Sequence, residues 1–146
     1  MPKLQRKTRQ VTAMIKVGVL DKDGNMKTYY CLIDSCASKN CISQTLADKA
    51  KHSKSFGSFQ EFTRPVHMVA ANKQSMRAIG ILKLRVYLKT KVYNDTNFIV
   101  IPDLSQDMIL GKPTLRRMGA VIDLEANNIT LRKCFGVTIP LANRPE

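Results

Sequence analysis

The sequence has no tryptophan, only two histidines and four cysteines, and 11 acidic residues against 24 basic ones. Each shortage narrows the function. His52 and His67 are too few to complete a metal site with Cys31, Cys36, Cys41 and Cys134, whose spacings miss the short Cys-x-x-Cys grip that zinc needs. No metal and no cofactor are therefore expected. No apolar stretch approaches the roughly 18 residues of a membrane helix, so no membrane contact is expected. The opening MPKLQRKTRQ is basic but lacks an apolar segment behind it, unlike a secretory signal. An intracellular protein with reduced cysteines is the expectation, with Cys31 and Cys41 as core residues. Tyrosine and phenylalanine are sparse and do not alternate with basic residues as base-stacking platforms do. The formal charge of +13 still favours non-specific contact with nucleic acid.

The 146 residues suffice for one domain with a real core. Residues 1–10 read as a basic leader, 11–141 as the domain and 142–146 as a tail. Val11, Ala13, Ile15, Val17 and Val19 alternate as a strand buried on one face. The segment Asp21-Lys22-Asp23-Gly24-Asn25 favours a tight reversal, and Thr28 to Ile33 returns as a second strand. A short helix is expected over Gln44 to Lys51, with Ser43 as its N-cap. Residues 52–64, with Ser, Gly and Lys, read as an exposed loop. Val66 to Ala71 and Ile79 to Leu88 read as strands joined through Asn72 to Ser75. Tyr93 to Thr96 reads as a turn before the strand Phe98 to Ile101. Met108 to Leu110 reads as a brief strand, and Pro113 and Gly119 bracket a second short helix. A hairpin through Asn127-Asn128 and a terminal strand of Val137, Ile139 and Leu141 complete a compact, mainly β, barrel-like domain.

Leu32-Ile33-Asp34-Ser35 places a carboxylate directly after apolar strand residues. A carboxylate there is kept by a partner or by a function, and a lone Asp at a strand end is more often a turn or cap residue than a catalytic one. The order of motifs says more. Cys31-Leu32-Ile33-Asp34-Ser35-Cys36-Ala37-Ser38 is similar to the apolar-apolar-Asp-Ser/Thr-Gly-Ala-Ser loop of the retropepsins, the aspartic proteases of retroviruses and long-terminal-repeat retrotransposons. Asp107-Met108-Ile109-Leu110-Gly111 resembles that family's second signature, and Gly119 to Asp123 continues as retrotransposon members do. Val69-Ala70-Ala71-Asn72 through Ile79-Gly80 falls where they place the flap hairpin.

The resemblance implies a closed, barrel-like retropepsin fold and a homodimeric aspartic endopeptidase acting on a peptide or polyprotein substrate. Asp34 and Ser35 would be catalytic, with Cys36, Ala37 and Ser38 completing the loop. Ala71, Asn72, Lys73, Gln74 and Ser75 would close over substrate, and Ile109, Leu110 and Gly111 would support the loop from beneath. Family members bring two such loops together so that two carboxylates share one proton; one loop in this chain implies a second copy. A place in the cytoplasm or a retroelement particle is implied with it. Two positions depart from the pattern. Cys36 stands where the family has Gly, and a positive φ there would strain any side chain. Lys112-Pro113 replaces Arg followed by Asp or Asn, removing a supporting ion pair. The alternative is an inactive dimerisation or RNA-contacting module of the same fold. Cys36 as a nucleophile is disfavoured, because a neighbouring carboxylate opposes thiolate formation.

Overall fold

The structure, a computed structural model, describes residues 12–69 and 75–142. The residues of the expected basic leader, Val11, Ala70, the residues Ala71, Asn72, Lys73 and Gln74 expected at the flap, and the tail beyond Ala142 lie outside the described residues.

Strands β1 (Thr12–Leu20) and β2 (Met26–Asp34) pair antiparallel from Thr12 with Asp34 to Leu20 with Met26. The reversal between them is held by Asp21, whose Oδ1 accepts the backbone N–H groups of Asp23 at 2.8 Å and Asn25 at 2.9 Å. This is the Asx geometry that makes Asp a turn former. Strand β3 (Cys41–Ser43) leads into α1 (Gln44–Ala50), where the Ser43 hydroxyl accepts the Leu46 N–H at 3.2 Å. The N-cap and both helices stand where the sequence places them.

Two segments differ from the sequence reading. Strand β4 (Phe56–Val69) occupies most of the stretch read as an exposed loop. It is the outermost strand of its sheet and exposed at most positions, so its composition resembles a loop while its backbone pairs with β5 (Ser75–Lys89). Strand β6 (Val92–Ile101) absorbs the expected turn at Tyr93 to Thr96, pairing Tyr93 with Tyr87 and Thr96 with Leu84. The reversal falls at residues 90–91 instead, because ladder pairing outweighs the turn preference of Asn94 and Asp95.

Strand β7 (Met108–Gly111) runs directly into α2 (Lys112–Met118), which stops at Gly119 in the left-handed region at φ 66°. A three-stranded sheet follows, formed by β8 (Ala120–Asp123), β9 (Asn128–Leu131) and β10 (Val137–Pro140). The larger sheet has the order β1-β2-β7-β3-β6-β5-β4. It curls until β1 meets β5 at one residue pair, Gly18 with Tyr87, so this seam is a bridge and not a ladder. Period-two alternation supplies the core: Ile15, Val17 and Val19 from β1, Cys31 and Ile33 from β2, and Leu82, Leu84, Val86 and Leu88 from β5. Phe98, Met108, Leu110, Ile129 and Ile139 close it. Ala142 turns back to β1, donating its N–H to the Met14 carbonyl at 2.7 Å. The described residues are mainly β with two short helices.

Candidate active site

Asp34 is the last residue of β2, and β2 lies parallel to β7 with Asp34 opposite Gly111. Two strand ends therefore open side by side, and the loop after Asp34 shares one space with the start of α2. The residues after Asp34 turn tightly: the Ala37 N–H donates to the Asp34 carbonyl at 3.1 Å. The Asp34 side chain reinforces the turn, its Oδ1 accepting the Cys36 N–H at 2.9 Å. Asp34 and Ser35 are half-buried, Ala37 is half-buried, and Cys36 and Ser38 are exposed. One carboxylate oxygen is thus oriented by backbone at the mouth of the loop.

Cys36 does not occupy the left-handed region. Among the described non-glycine residues, Asn127 and Phe135 have positive φ, at 58° and 59°. The loop therefore accepts an L-residue at this position without the backbone strain that a replaced glycine can impose. Its thiol projects from an exposed residue beside Asp34. The remaining cysteines are buried, and burial pushes the thiol of Cys31 up to about 12 and that of Cys41 up to about 11. Neither supplies a thiolate near neutral pH.

Gly111 lies directly under the loop. A Cβ there would come within 2.7 Å of the Lys39 carbonyl oxygen and 2.8 Å of that of Ala37. Backbone cannot rotate away, so the position requires glycine. The Lys112 N–H then donates to the Ala37 carbonyl at 2.8 Å, tying the first residue of α2 to the loop. Leu110 is buried in the main core, while half-buried Ile109 packs with Cys41, Ala78 and Ile101 on the other side.

Asn40 was not singled out by the sequence, and it joins these parts. Its Oδ1 accepts the Gly111 N–H at 2.8 Å, and its Nδ2 donates to the Thr114 hydroxyl at 2.7 Å and the Asn97 carbonyl at 3.0 Å. Its own carbonyl accepts the Ile99 N–H at 2.9 Å. One nearly buried amide thus links loop, β6, β7 and α2. The Arg117 guanidinium donates to the same Thr114 hydroxyl at 3.0 Å. Among the described residues no ion pair involves Lys112; neutral hydrogen bonds from Asn40 brace the loop. The available signal was a polar residue immediately before the apolar strand Cys41-Ile42, where a buried polar group must find partners. A cavity of about 270 Å³ opens beside it, lined by Ser38, Asn40, Ile81, Thr114 and Arg117 among others.

The β4–β5 hairpin rises as a long arm that pairs as far as Val69 with Ser75. Ser75, expected at the flap, is exposed at its β5 side. Phe62, Met68 and Met76 of this arm pack against the same Cys41, Ala78 and Ile101 cluster as Ile99, Leu104 and Ile109, giving an apolar wall between arm and strand ends. Among the described residues no cluster of three or more His, Cys, Asp or Glu converges as metal ligands. No helix among them is long and apolar enough to cross a membrane.

A curled sheet in which an Asp-bearing strand runs parallel to a strand ending in a buried glycine and a helix defines the retropepsin-like fold. The structure is similar to the crystal structure of the retroviral protease-like domain of Ddi1 from Leishmania major, at TM-score 0.63 and 21% identity, covering 90% of this chain and 95% of that one. It is also similar to EIAV protease complexed with the inhibitor HBY-793, at TM-score 0.50 and 15% identity, covering 84% of this chain and 98% of that one. No protein-family model matches the sequence, and no curated protein sequence matches it. The chain has the retropepsin-like fold.

Proposed function

We propose that this chain is an aspartic endopeptidase that works as a homodimer and processes a polyprotein of retroelement type. The observation that carries this reading is the seat of Asp34: a carboxylate at a strand end, one oxygen held by the Cys36 N–H, above a glycine that admits no side chain. With Asp34 of a second copy facing it across a two-fold axis, one carboxylate takes a proton from water. The resulting nucleophile adds to the peptide carbonyl while the other carboxylic acid protonates the carbonyl oxygen. Ser35 would hydrogen-bond across the axis and steady the pair. An extended peptide would lie along the apolar wall of Phe62, Met76 and Ile109 as an added strand, with the arm carrying Ser75 closing above it. The high positive charge would oppose dimerisation at low salt, and screening would relieve it.

The test is cleavage of a mixed peptide library from mildly acidic to neutral pH, with Asp34→Asn as control and a statine-type inhibitor as second check. Cleavage abolished in both supports the proposal. A folded dimer that cuts nothing overturns it.

Cys36 favours a second reading, a catalytically silent dimerisation module, since two extra thiols would crowd the junction of the loops. Its backbone conformation removes one of the two objections to activity, the strain, and leaves the crowding. Comparing the native chain with Cys36→Gly separates the readings: equal cleavage excludes the silent module, and cleavage by the glycine variant alone establishes it.

A further inference from the structure

The face of the sheet turned away from the core between β6 and β2 gathers side chains that lie far apart in the sequence. Cross-strand pairing aligns Tyr93, Tyr87, Gly18 and Thr28 in one row over β6, β5, β1 and β2. Lys16 and Tyr30 pair in the next row, and Arg85 pairs with Asp95 on the other side of Tyr87. Three of the protein's four tyrosines, Tyr30, Tyr87 and Tyr93, therefore share this surface. Each already contacts a ring or a cation. The Tyr87 and Tyr93 rings meet edge to face at 5.5 Å, the Arg85 guanidinium lies 4.0 Å over Tyr93, and the Lys16 ammonium lies 5.8 Å over Tyr30.

The charge on this face is one-sided. Lys16, Lys83 and Lys89 are exposed, and Arg85 stands among them. Asp95 is the acidic residue beside Tyr87 and Tyr93, and Arg85 neutralises it through bonds of 2.9 and 3.3 Å, while Asp34 stands four residues beyond Tyr30 at the end of β2. Tyr93 is 45% exposed. The Met26 side chain lies over Gly18, and both line a groove of about 360 Å³ together with Lys16, Tyr87 and Lys89. A buried core needs none of this, and a merely solvated face would not concentrate the tyrosines. The period-two run Lys83, Arg85, Tyr87, Lys89 does interleave an aromatic with cations on one strand face, which the linear reading of the sequence passed over.

We infer that this face of β2, β1, β5 and β6 binds single-stranded nucleic acid, the lysines meeting phosphates and the tyrosines offering π-faces to unpaired bases. Charge complementarity selects a polyanion, and the exposed Tyr93 ring, with half-buried Tyr87 and Tyr30 beside it, selects one with accessible bases over a duplex or a lipid headgroup. The inference stands independently of the protease reading, because Asp34 lies at the far end of β2 beyond Tyr30.

The experiment is fluorescence anisotropy of a labelled single-stranded oligouridylate of about 20 nucleotides with the whole chain, titrated over salt concentration. Binding is expected to weaken as salt rises. Lys16→Glu combined with Lys89→Glu is expected to weaken it tenfold or more. Lys49→Glu combined with Lys133→Glu, at exposed positions on α1 and in the β9–β10 connection, changes net charge equally and is expected to cost less than about threefold. Tyr93→Leu keeps apolar bulk and is expected to cost about fivefold or more with the salt slope unchanged, because stacking releases no counterions. Asp34→Asn should bind as the native chain does, so failure of the protease proposal leaves this result readable. Far-ultraviolet circular dichroism checks that each variant is folded. Equal losses from the two charge reversals, equal affinity for a duplex of the same length, or binding to phosphatidylserine vesicles without binding to RNA would each overturn the inference.

Discussion

The Asn40 side chain accepts the backbone N–H of Gly111 at 2.8 Å, although 71 residues separate them. Through that bond the loop after Asp34 and the strand–helix junction behind it behave as one piece. Both ends of the link are buried, so neither partner can turn to water if the other is lost.

Asn40→Ala is therefore expected to lower folding stability by at least about 2 kcal/mol, since a buried group left without a partner costs about 1–3 kcal/mol. Urea denaturation measures this. Asn40→Asp retains the acceptor for Gly111 and loses the donors to Thr114 and Asn97, so it should not restore the native midpoint. A native midpoint in Asn40→Ala would show that the loop is braced elsewhere.

Gly111→Ala adds one methyl group against the carbonyls of Ala37 and Lys39. Overpacking against fixed backbone costs about 1–3 kcal/mol, and the displaced loop carries Asp34. Lower thermal stability together with loss of any peptidase activity is the expected pair of results. Gain or retention of both would contradict the packing described above.

Thiol chemistry should distinguish the four cysteines. Cys36 is exposed, while Cys31, Cys41 and Cys134 are buried and burial raises each of their thiols. A disulfide reagent such as dithionitrobenzoate at pH 8 should titrate one thiol rapidly in the native protein and all four after denaturation. Cys36→Ser should abolish the rapid phase. Two or more rapid thiols would mean that the core around Cys31 or Cys41 opens readily.

The β1–β2 turn should loosen in acid. Backbone N–H donation, from Asn25 foremost and also from Asp23, holds the Asp21 carboxyl below its ordinary value of 3.8, with Lys27 adding to the effect. A depressed pKa stabilises the folded form above the unfolded value, and this contribution fades as pH falls through the folded one. Amide protection at Asp23 and Asn25, corrected for intrinsic exchange, should hold steady down to about pH 5 and decline below about pH 4. Asp21→Asn, which cannot ionise, should remove the dependence. Protection unchanged to pH 3 in the native chain would remove Asp21 from this role.

Much of this was written locally. Alternation at Ile15, Val17 and Val19 set the first buried strand, Asp21 to Asn25 set its turn, and Ser43, Pro113 and Gly119 set the helix ends. These depend on neighbours a few residues away, so the sequence determines them by itself, as it does the ordered motifs around Asp34 and Gly111. Four features were decided only by tertiary structure. β4 is a strand because β5 pairs with it, whatever its loop-like composition. Cys36 escapes strain because the loop settles outside the left-handed region. Asn40 matters because β6, β7 and α2 converge on it. Lys16 meets Tyr30, and Arg85 meets Tyr93, because strand register brings distant positions to one face. Contacts across a sheet are set by register and curvature, and those are fixed only when the whole core closes.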